Sequence, residues 1–266
     1  MASLVELNTL GGSVMINQET TRKLHEMRLT SMVEALANQE HIENIRQMGF
    51  EDRLELLIDA AYDTRQNNKL ERLIKDAGFI TTAPSISNID YSPDRQLDKD
   101  VITKLATGAY IKAHHNVLIM GASGNVKTWL ATALGIAACR QFYKVCYVRL
   151  PELMDDLLVA KNEANGDFKK ILIKYGKYDL LIIDEWLLTA VSQEQATFIL
   201  ELMERRAGQR ATIFCSQFGP RAWHEKLGQS QIADAILDRI VHTAYHIEID
   251  GKKSMRERYR IGVQDD

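Results

Sequence analysis

The segment at residues 121–128 reads G-A-S-G-N-V-K-T, with the residue types and spacing of a loop that binds phosphate groups. In such a loop, backbone N–H groups at the start of a helix face the phosphates, a lysine neutralises their charge and a hydroxyl holds Mg²⁺. Gly121, Gly124, Lys127 and Thr128 match this Walker A pattern. We therefore expect the nucleotide to be bound by Gly121, Ala122, Ser123, Gly124, Asn125, Val126, Lys127, Thr128 and Trp129.

Position 126 departs from the pattern, which asks for glycine before the lysine. Glycine is favoured there because the backbone must approach the phosphate closely and a side chain obstructs it. This chain has Val126, whose β-branched side chain is stiff. The segment could instead be an ordinary strand–turn–helix with Lys127 as an exposed charge, but its position between a strand and a helix favours a phosphate loop. We expect Val126 to weaken nucleotide binding or turnover.

A second candidate group follows the apolar run at residues 180–184, which ends in Asp184 and is followed by Glu185. In parallel α/β sheets, ligands bind beyond the carboxyl ends of the strands. One carboxylate there can hold Mg²⁺, and a second can activate water as a general base. Two acidic residues after an apolar run are by themselves a weak indication of such a pair. The phosphate loop earlier in the chain strengthens the prediction. We expect Thr128 and Asp184 to hold Mg²⁺ and Glu185 to be catalytic.

Two further residues stand where they could complete such a site. Gln217 follows the apolar run at residues 211–216 and could reach between the carboxylates and the terminal phosphate, or could cap a turn. Arg239 lies late on a predicted helix, where an arginine could complete the site of a neighbouring subunit. Its alternative is a surface salt bridge to Asp234 or Asp238. Position alone leaves the alternatives open for both residues.

A regular alternation of strands and helices, beginning near residue 100, must position these residues. Near-continuous apolar runs of this kind are buried on both faces, as in a parallel sheet covered by helices. The alternation predicts a doubly wound α/β domain. Five strands are predicted at residues 116–120, 145–149, 180–184, 211–216 and 245–249, with helices ending near 142, starting near 151, and covering 192–206 and 230–242.

The first part of the chain predicts a small all-helical unit. Apolar residues recur at helical spacing over residues 20–39, 50–64 and 69–77, and Gly78 is placed to end the third helix. Two of the four prolines follow among small polar residues, which is typical of a connection. We expect a helical domain at residues 1–80, for oligomerisation or partner binding, a linker at 81–100 and the α/β domain at 101–266.

Composition narrows the class of protein. Of the 266 residues, 45% are hydrophobic and 26% charged, which is ordinary for a globular protein. No apolar run approaches the roughly 20 residues that span a bilayer, and no secretory signal is visible at the start, so we expect a cytoplasmic protein with no membrane association. Cys139, Cys146 and Cys215 are typical of reduced core thiols.

The net charge of −3 means that any contact with nucleic acid must come from local basic patches. One candidate patch lies near the end of the chain, and a second comprises Arg205, Arg206 and Arg210. A solvated basic face is the simpler explanation of both. The candidate DNA-binding residues of the first patch are Lys252, Lys253, Arg256, Arg258 and Arg260.

Together, these motifs resemble the IstB-type ATPases of insertion sequences, which are relatives of DnaC-type helicase loaders. The similarity covers almost the whole chain. The runs A-I-L-D-R at residues 235–239 and S-M-R at residues 254–256 are fairly specific, whereas Walker motifs alone are not. The other matching segments are M-R-L at residues 27–29, the phosphate loop, D-E-W at 184–186 and S-Q at 216–217 with Trp223 downstream.

The resemblance implies an AAA+ P-loop fold without the usual C-terminal helical lid. It implies that Lys127 and Thr128 bind ATP and Mg²⁺, that Asp184 binds Mg²⁺ and that Glu185 activates water. Gln217, where many members have asparagine, would be the sensor. Arg239 would be the finger that acts on a neighbouring subunit's site.

The function implied by the resemblance is ATP-dependent regulation of DNA transposition. Such a protein assembles as a homo-oligomer on double-stranded DNA without sequence specificity and delivers this target to the transposase of the same element. Two alternatives stay open: a DnaC-like helicase loader, and a DNA-binding scaffold whose ATPase is impaired by Val126. Glu185 and Arg239 argue against the scaffold, because an inactive enzyme has no chemical need for them.

Overall fold

The computed structural model describes residues 17–39, 41–91, 97–122, 126–163 and 167–249. The chain divides between Lys69 and Leu70 into two compact units. Within the described residues, no helix is both long enough and apolar enough to cross a membrane. The three cysteines are buried and free, which agrees with the prediction that they lie in the core.

Three helices come first: α1 (Gln18–Glu26), α2 (Thr30–Gln39) and α3 (Phe50–Asp76). The prediction of one helix over residues 20–39 is wrong, because the backbone turns at Arg28, which has a φ of 59°. The N–H of Leu29 bonds to Leu24 O at 2.8 Å and that of Arg28 to His25 O at 2.9 Å, which is a Schellman ending. No glycine marks this stop in the sequence.

Helix α3 runs without a break through two predicted helices, at residues 50–64 and 69–77. Residues 65–68 between them are Arg, Gln, Asn and Asn, which are polar but include neither glycine nor proline, so nothing there interrupts a helix. Gly78 follows the end of the helix with a φ of 75°, as predicted for a glycine that terminates it.

A five-stranded parallel sheet lies in the second unit, with the order β2-β3-β4-β1-β5. The five predicted strands are confirmed, close to their predicted bounds. They are β1 (Asn116–Gly121), β2 (Val145–Arg149), β3 (Leu180–Asp184), β4 (Ala211–Ser216) and β5 (Ala244–Ile249).

Helices cover both faces of the sheet, and local signals explain several of their starts. Asp98 caps α4 by accepting from two backbone N–H groups, and Ser192 forms a capping box with Gln195 at the start of α9. The helices are α4 (Lys99–Ala106), α5 (Ala109–Lys112), α6 (Lys127–Arg140), α7 (Leu150–Asn162), α8 (Asp167–Lys177), α9 (Gln193–Arg206), α10 (Pro220–Lys226) and α11 (Gln231–Val241).

Side-chain alternation along β3 divides the core into two layers. Leu180 and Ile182 pack in the layer that contains α4, α5 and α6, whereas Leu181 and Ile183 pack in the layer of α7 to α11. Asp184 continues the alternation, so its side chain lies on the face of the sheet that α6 covers. Helix α6 is the helix that follows the phosphate loop. The alternation therefore decides which helix meets the terminal carboxylate.

Part of the segment predicted as a linker contributes to the α6 layer. Ile86 and Ile89 pack in the same apolar cluster as Leu130 and Leu134 of α6. The expected absence of a C-terminal lid concerns residues 250–266, which lie outside the described residues.

Candidate nucleotide-binding site

The phosphate loop connects the end of β1 to the start of α6, as predicted. Gly121 has a φ of 154°, and a Cβ added there would lie 2.5 Å from Ile249 O on β5. Glycine is therefore required at this position by the neighbouring strand as well as by the backbone conformation. Ser123, Gly124 and Asn125 lie outside the described residues.

Lys127 is the first residue of α6 and is only 7% exposed. Its ammonium donates to Gly121 O and Ala122 O, both at 2.8 Å. Burial lowers the pKa of Lys127, while the nearby Cys215 and Asp184 oppose this shift. The alternative of Lys127 as an exposed helix charge is therefore wrong: it is a buried cation folded back onto the phosphate loop.

Thr128 and Asp184 come together across the sheet edge. Thr128 Oγ1 donates to Asp184 Oδ2 at 2.6 Å, and Tyr147 OH donates to the same oxygen at 2.7 Å. The N–H of Glu185 donates to Asp184 Oδ1 at 2.8 Å. Hydroxyl and carboxylate oxygens are the hard donors that Mg²⁺ prefers. The pair predicted to hold Mg²⁺ thus shares one location, and the chemistry of its oxygens fits that ion.

Glu185 sits in a left-handed backbone conformation, with a φ of 54°. Such a conformation costs on the order of 1–3 kcal/mol and persists only when neighbouring packing imposes it. Here Trp186 provides the packing: it is fully buried, with ring centroids 4.7 Å from Phe214 and 6.0 Å from Trp223. The anchored tryptophan leaves the Glu185 side chain half-exposed, where Arg149 Nη1 lies 3.5 Å from its Oε1.

Ser216 joins the turn after β4 to the turn after β3. Its hydroxyl donates to Trp186 O at 2.9 Å and accepts from Trp223 Nε1, also at 2.9 Å. Gln217 follows and is exposed. Because β4 lies between β3 and β1, Gln217 stands between the acidic pair and the phosphate loop. This position is compatible with the sensor assignment, which stays a prediction.

Val126 has φ −58° and ψ 13° and is 8% exposed. Its φ is negative, so the position does not demand glycine for a left-handed backbone conformation. Its O accepts from Leu130 N–H at 2.7 Å, which starts α6. Trp129, in the first turn of α6, packs half-buried in the α6 layer, and Ala122 is exposed. The obstruction expected from Val126 must therefore come from side-chain volume.

Arg239 lies apart from the other predicted catalytic residues. Its guanidinium donates to Ala235 O at 2.8 Å and to Glu204 on α9 at 3.1 Å. The salt bridge suggested by the sequence exists, but its partner is Glu204 and not Asp234 or Asp238. The role of Arg239 as a finger stays a prediction.

The structure describes only the second of the two basic patches predicted from the sequence. Lys252, Lys253, Arg256, Arg258 and Arg260 lie outside the described residues. In the second patch, Arg206 is fully buried and cannot belong to a solvated basic face. Its guanidinium donates to Thr212 Oγ1 and to the carbonyl oxygens of Tyr175, Tyr178 and Ala211.

Tyr147 and Arg149 are site residues that sequence analysis missed. Both lie on β2, and the registers Tyr147↔Ile182 and Arg149↔Asp184 bring them beside the end of β3. The available signal was a tyrosine within the buried run of β2 and an arginine at its carboxyl end. Neither residue belongs to a local motif, so their place in the site could be recognised only once the pairing of β2 with β3 was known.

Comparisons with known proteins agree with this geometry. Residues 22–262 match the sequence model of the IstB-like ATP binding protein family. An insertion-sequence ATP-binding protein of Sinorhizobium fredii is 36% identical over 246 residues, which cover 92% of this chain and 99% of that protein. The insertion sequence IS1162 ATP-binding protein of Pseudomonas fluorescens is 38% identical over 203 residues, covering 76% of this chain and 87% of that protein.

Among solved structures, AMPPCP-bound DnaA from Aquifex aeolicus superposes with a TM-score of 0.55 and 17% identity, covering 70% of this chain and 58% of that chain. At this identity the likeness concerns the fold alone, which is the AAA+ P-loop fold predicted from the motifs. The family model that matches residues 22–262, together with the relative that is 36% identical over 92% of this chain, shows that the chain belongs to the family of IstB-like ATP binding proteins.

Proposed function

We propose that this chain is a Mg²⁺-dependent ATPase that assembles as a homo-oligomer on double-stranded DNA and recruits or stimulates the transposase of the same insertion sequence. One observation carries the proposal: where β1 and β3 end, Thr128 and Glu185 N–H donate to Asp184, and the buried ammonium of the neighbouring Lys127 lies on the phosphate loop. The names of the relatives, which are insertion-sequence ATP-binding proteins, support the role in transposition.

The roles of the residues follow from their positions. Lys127 supplies a buried positive charge to the phosphates, and Thr128 with Asp184 holds Mg²⁺, which would neutralise charge on the phosphates when bound. Glu185 takes a proton from the attacking water as general base. Gln217 contacts the terminal phosphate, and Arg239 completes the site of a neighbouring subunit.

Oligomerisation and DNA binding are linked in this proposal. ATP held between subunits orders the assembly, and the basic residues at 252–260 contact the DNA backbone. Phosphate contacts carry no sequence information, so binding should be insensitive to sequence and should weaken steeply with salt. We further propose residues 1–80 as a helical domain for assembly or partner binding, 81–100 as the connection, 101–266 as the ATPase domain, and the cytoplasm as the location.

The first experiment measures ATP hydrolysis with and without duplex DNA, for the parent chain, Lys127→Ala and the control Lys177→Ala. Lys177 is an exposed lysine at the end of α8, so its replacement removes the same charge without touching the phosphate loop. The proposal expects Lys127→Ala to lose hydrolysis and ATP-dependent assembly on DNA, and Lys177→Ala to retain both.

The other outcomes identify the alternatives. DNA binding that is equal with and without ATP, in a parent chain that does not hydrolyse ATP, would identify a scaffold with an impaired ATPase. Hydrolysis restored by Val126→Gly would then assign that impairment to Val126. A pull-down that captures replicative helicase and not transposase would identify a helicase loader.

A further inference from the structure

We propose that Tyr147 is a positioning residue for Mg²⁺-dependent nucleotide binding, and that it acts through Asp184. The inference rests on the proposed function, because it assigns a role within the site that would hold Mg²⁺ and ATP. It adds a residue from β2 to the pair Thr128 and Asp184, which come from the start of α6 and the end of β3.

The hydrogen bonds around Asp184 carry the inference. Asp184 Oδ2 accepts from Thr128 Oγ1 at 2.6 Å and from Tyr147 OH at 2.7 Å, while Oδ1 accepts from Glu185 N–H at 2.8 Å. Three donors from three segments therefore hold the carboxylate plane. Of the three, only Tyr147 is a side chain that has no other part in the site.

Tyr147 is itself held firmly. It is 7% exposed, and its backbone N–H donates to Ala77 O at 2.7 Å, which occupies the outer side of the edge strand β2. Burial raises the pKa of Tyr147 far above its ordinary value, and the hydrogen bond to Asp184 adds to this shift. The phenol hydroxyl therefore stays available as the donor to Asp184 Oδ2, which it reaches at 2.7 Å.

This arrangement has a consequence for the carboxylate. With Oδ2 engaged by two hydroxyl donors, Asp184 is oriented toward Thr128 before any ion binds. Removal of the Tyr147 hydroxyl would let the carboxylate rotate and, among the residues that the structure describes, would leave Thr128 as the only side-chain donor to Oδ2. Removal of a hydrogen-bond partner from a metal-site residue typically weakens metal affinity about 10–100-fold.

The test compares Tyr147→Phe with the control Tyr175→Phe. Tyr175 is also buried, and its hydroxyl donates to the Asp156 carboxylate at 2.9 Å, between α8 and α7. Binding of a fluorescent ATP analogue is measured in EDTA and during a Mg²⁺ titration. We expect Tyr147→Phe to need about 10-fold more Mg²⁺ for half-maximal binding, with unchanged affinity in EDTA. Tyr175→Phe should match the parent in both.

A double-mutant cycle checks that Tyr147 acts through its partner. In an Asp184→Asn background, Tyr147→Phe should add little to the Mg²⁺ requirement, because the carboxylate that it orients is absent. Thermal unfolding of each variant reports whether it is folded.

Three outcomes would overturn the inference. These are an unchanged Mg²⁺ midpoint in Tyr147→Phe, an equal loss of binding with and without Mg²⁺, or full additivity with Asp184→Asn. A parent chain that binds no analogue at any Mg²⁺ concentration would overturn the proposed function and this inference together. If the parent chain binds the analogue in a Mg²⁺-dependent way and Tyr147→Phe has the same Mg²⁺ midpoint, only the inference is rejected.

Discussion

The side-chain amide of Asn116 donates to the carbonyl oxygens of Arg239 and Ile240, at 3.3 and 3.0 Å. Asn116 is the first residue of β1, whereas the phosphate loop follows the last. These bonds hold the end of α11 at the amino-terminal edge of the sheet. Arg239 therefore lies about a strand's length, roughly 20 Å, from the phosphate loop of its own chain. If it acts on ATP, it must act on another copy.

The first prediction concerns complementation between subunits. Lys127→Ala alone should lose hydrolysis because it does not hold ATP, and Arg239→Ala should lose it in the assembly by on the order of 10³-fold. An equimolar mixture should regain part of the activity, because an Arg239→Ala subunit still holds ATP and can then meet the intact Arg239 of a Lys127→Ala subunit. Steady-state ATPase assays of the two variants, separately and mixed, measure this. Activity in the mixture no greater than the mean of the separate variants would reject action in trans.

The second prediction concerns Val126, which is buried directly before the first residue of α6. Val126→Gly should lower the free energy of unfolding of the nucleotide-free chain by about 1–2 kcal/mol, through lost burial and added backbone freedom. It should also tighten ATP binding, because it removes side-chain volume from the phosphate loop. Val159→Gly is the control, since Val159 on α7 is 59% exposed. Urea unfolding with and without an ATP analogue measures both effects, and weaker binding by Val126→Gly would contradict the expectation.

The third prediction compares two glycines with positive φ. A Cβ at Gly121 would lie 2.5 Å from Ile249 O, whereas one at Gly208 would meet nothing within 4 Å. Gly208→Ala should cost about 1–2 kcal/mol for its backbone conformation alone. Gly121→Ala should cost clearly more, because β1 and β5 must separate. Thermal unfolding of the two variants decides the point, and equal losses would show that the strands adapt.

The fourth prediction concerns Arg206. Burial lowers the pKa of its guanidinium to about 9, so the side chain is charged at neutral pH. Arg206→Met should lower the free energy of unfolding by about 3 kcal/mol or more, because several buried carbonyl oxygens lose their donor. Arg205→Met, at an exposed neighbouring position, should change it by less than about 0.5 kcal/mol. Denaturant unfolding tests this pair. If Arg206→Met were as stable as the parent chain but bound DNA more weakly, Arg206 would belong to a basic DNA-binding surface and not to the core.

Much of the α/β unit could be predicted because its signals are local. The five apolar runs are short and bounded, and strands buried on both faces need no partner to be recognised. The phosphate loop and the pair Asp184 and Glu185 were found for the same reason, since each is a contiguous pattern at the end of such a run. The N-terminal helices were harder, because Arg28 ends α1 in a conformation usually reserved for glycine.

The sequence by itself determined which residues could bind phosphate and where the strands lie, because those properties depend on neighbours in the chain. Only the tertiary structure decided which residues meet. Tyr147 reaches Asp184 across 37 positions, and Asn116 holds the backbone of Arg239 across 123. Such contacts depend on strand order, on register and on which face each side chain takes, and a shift of one residue in register would turn Tyr147 away from Asp184.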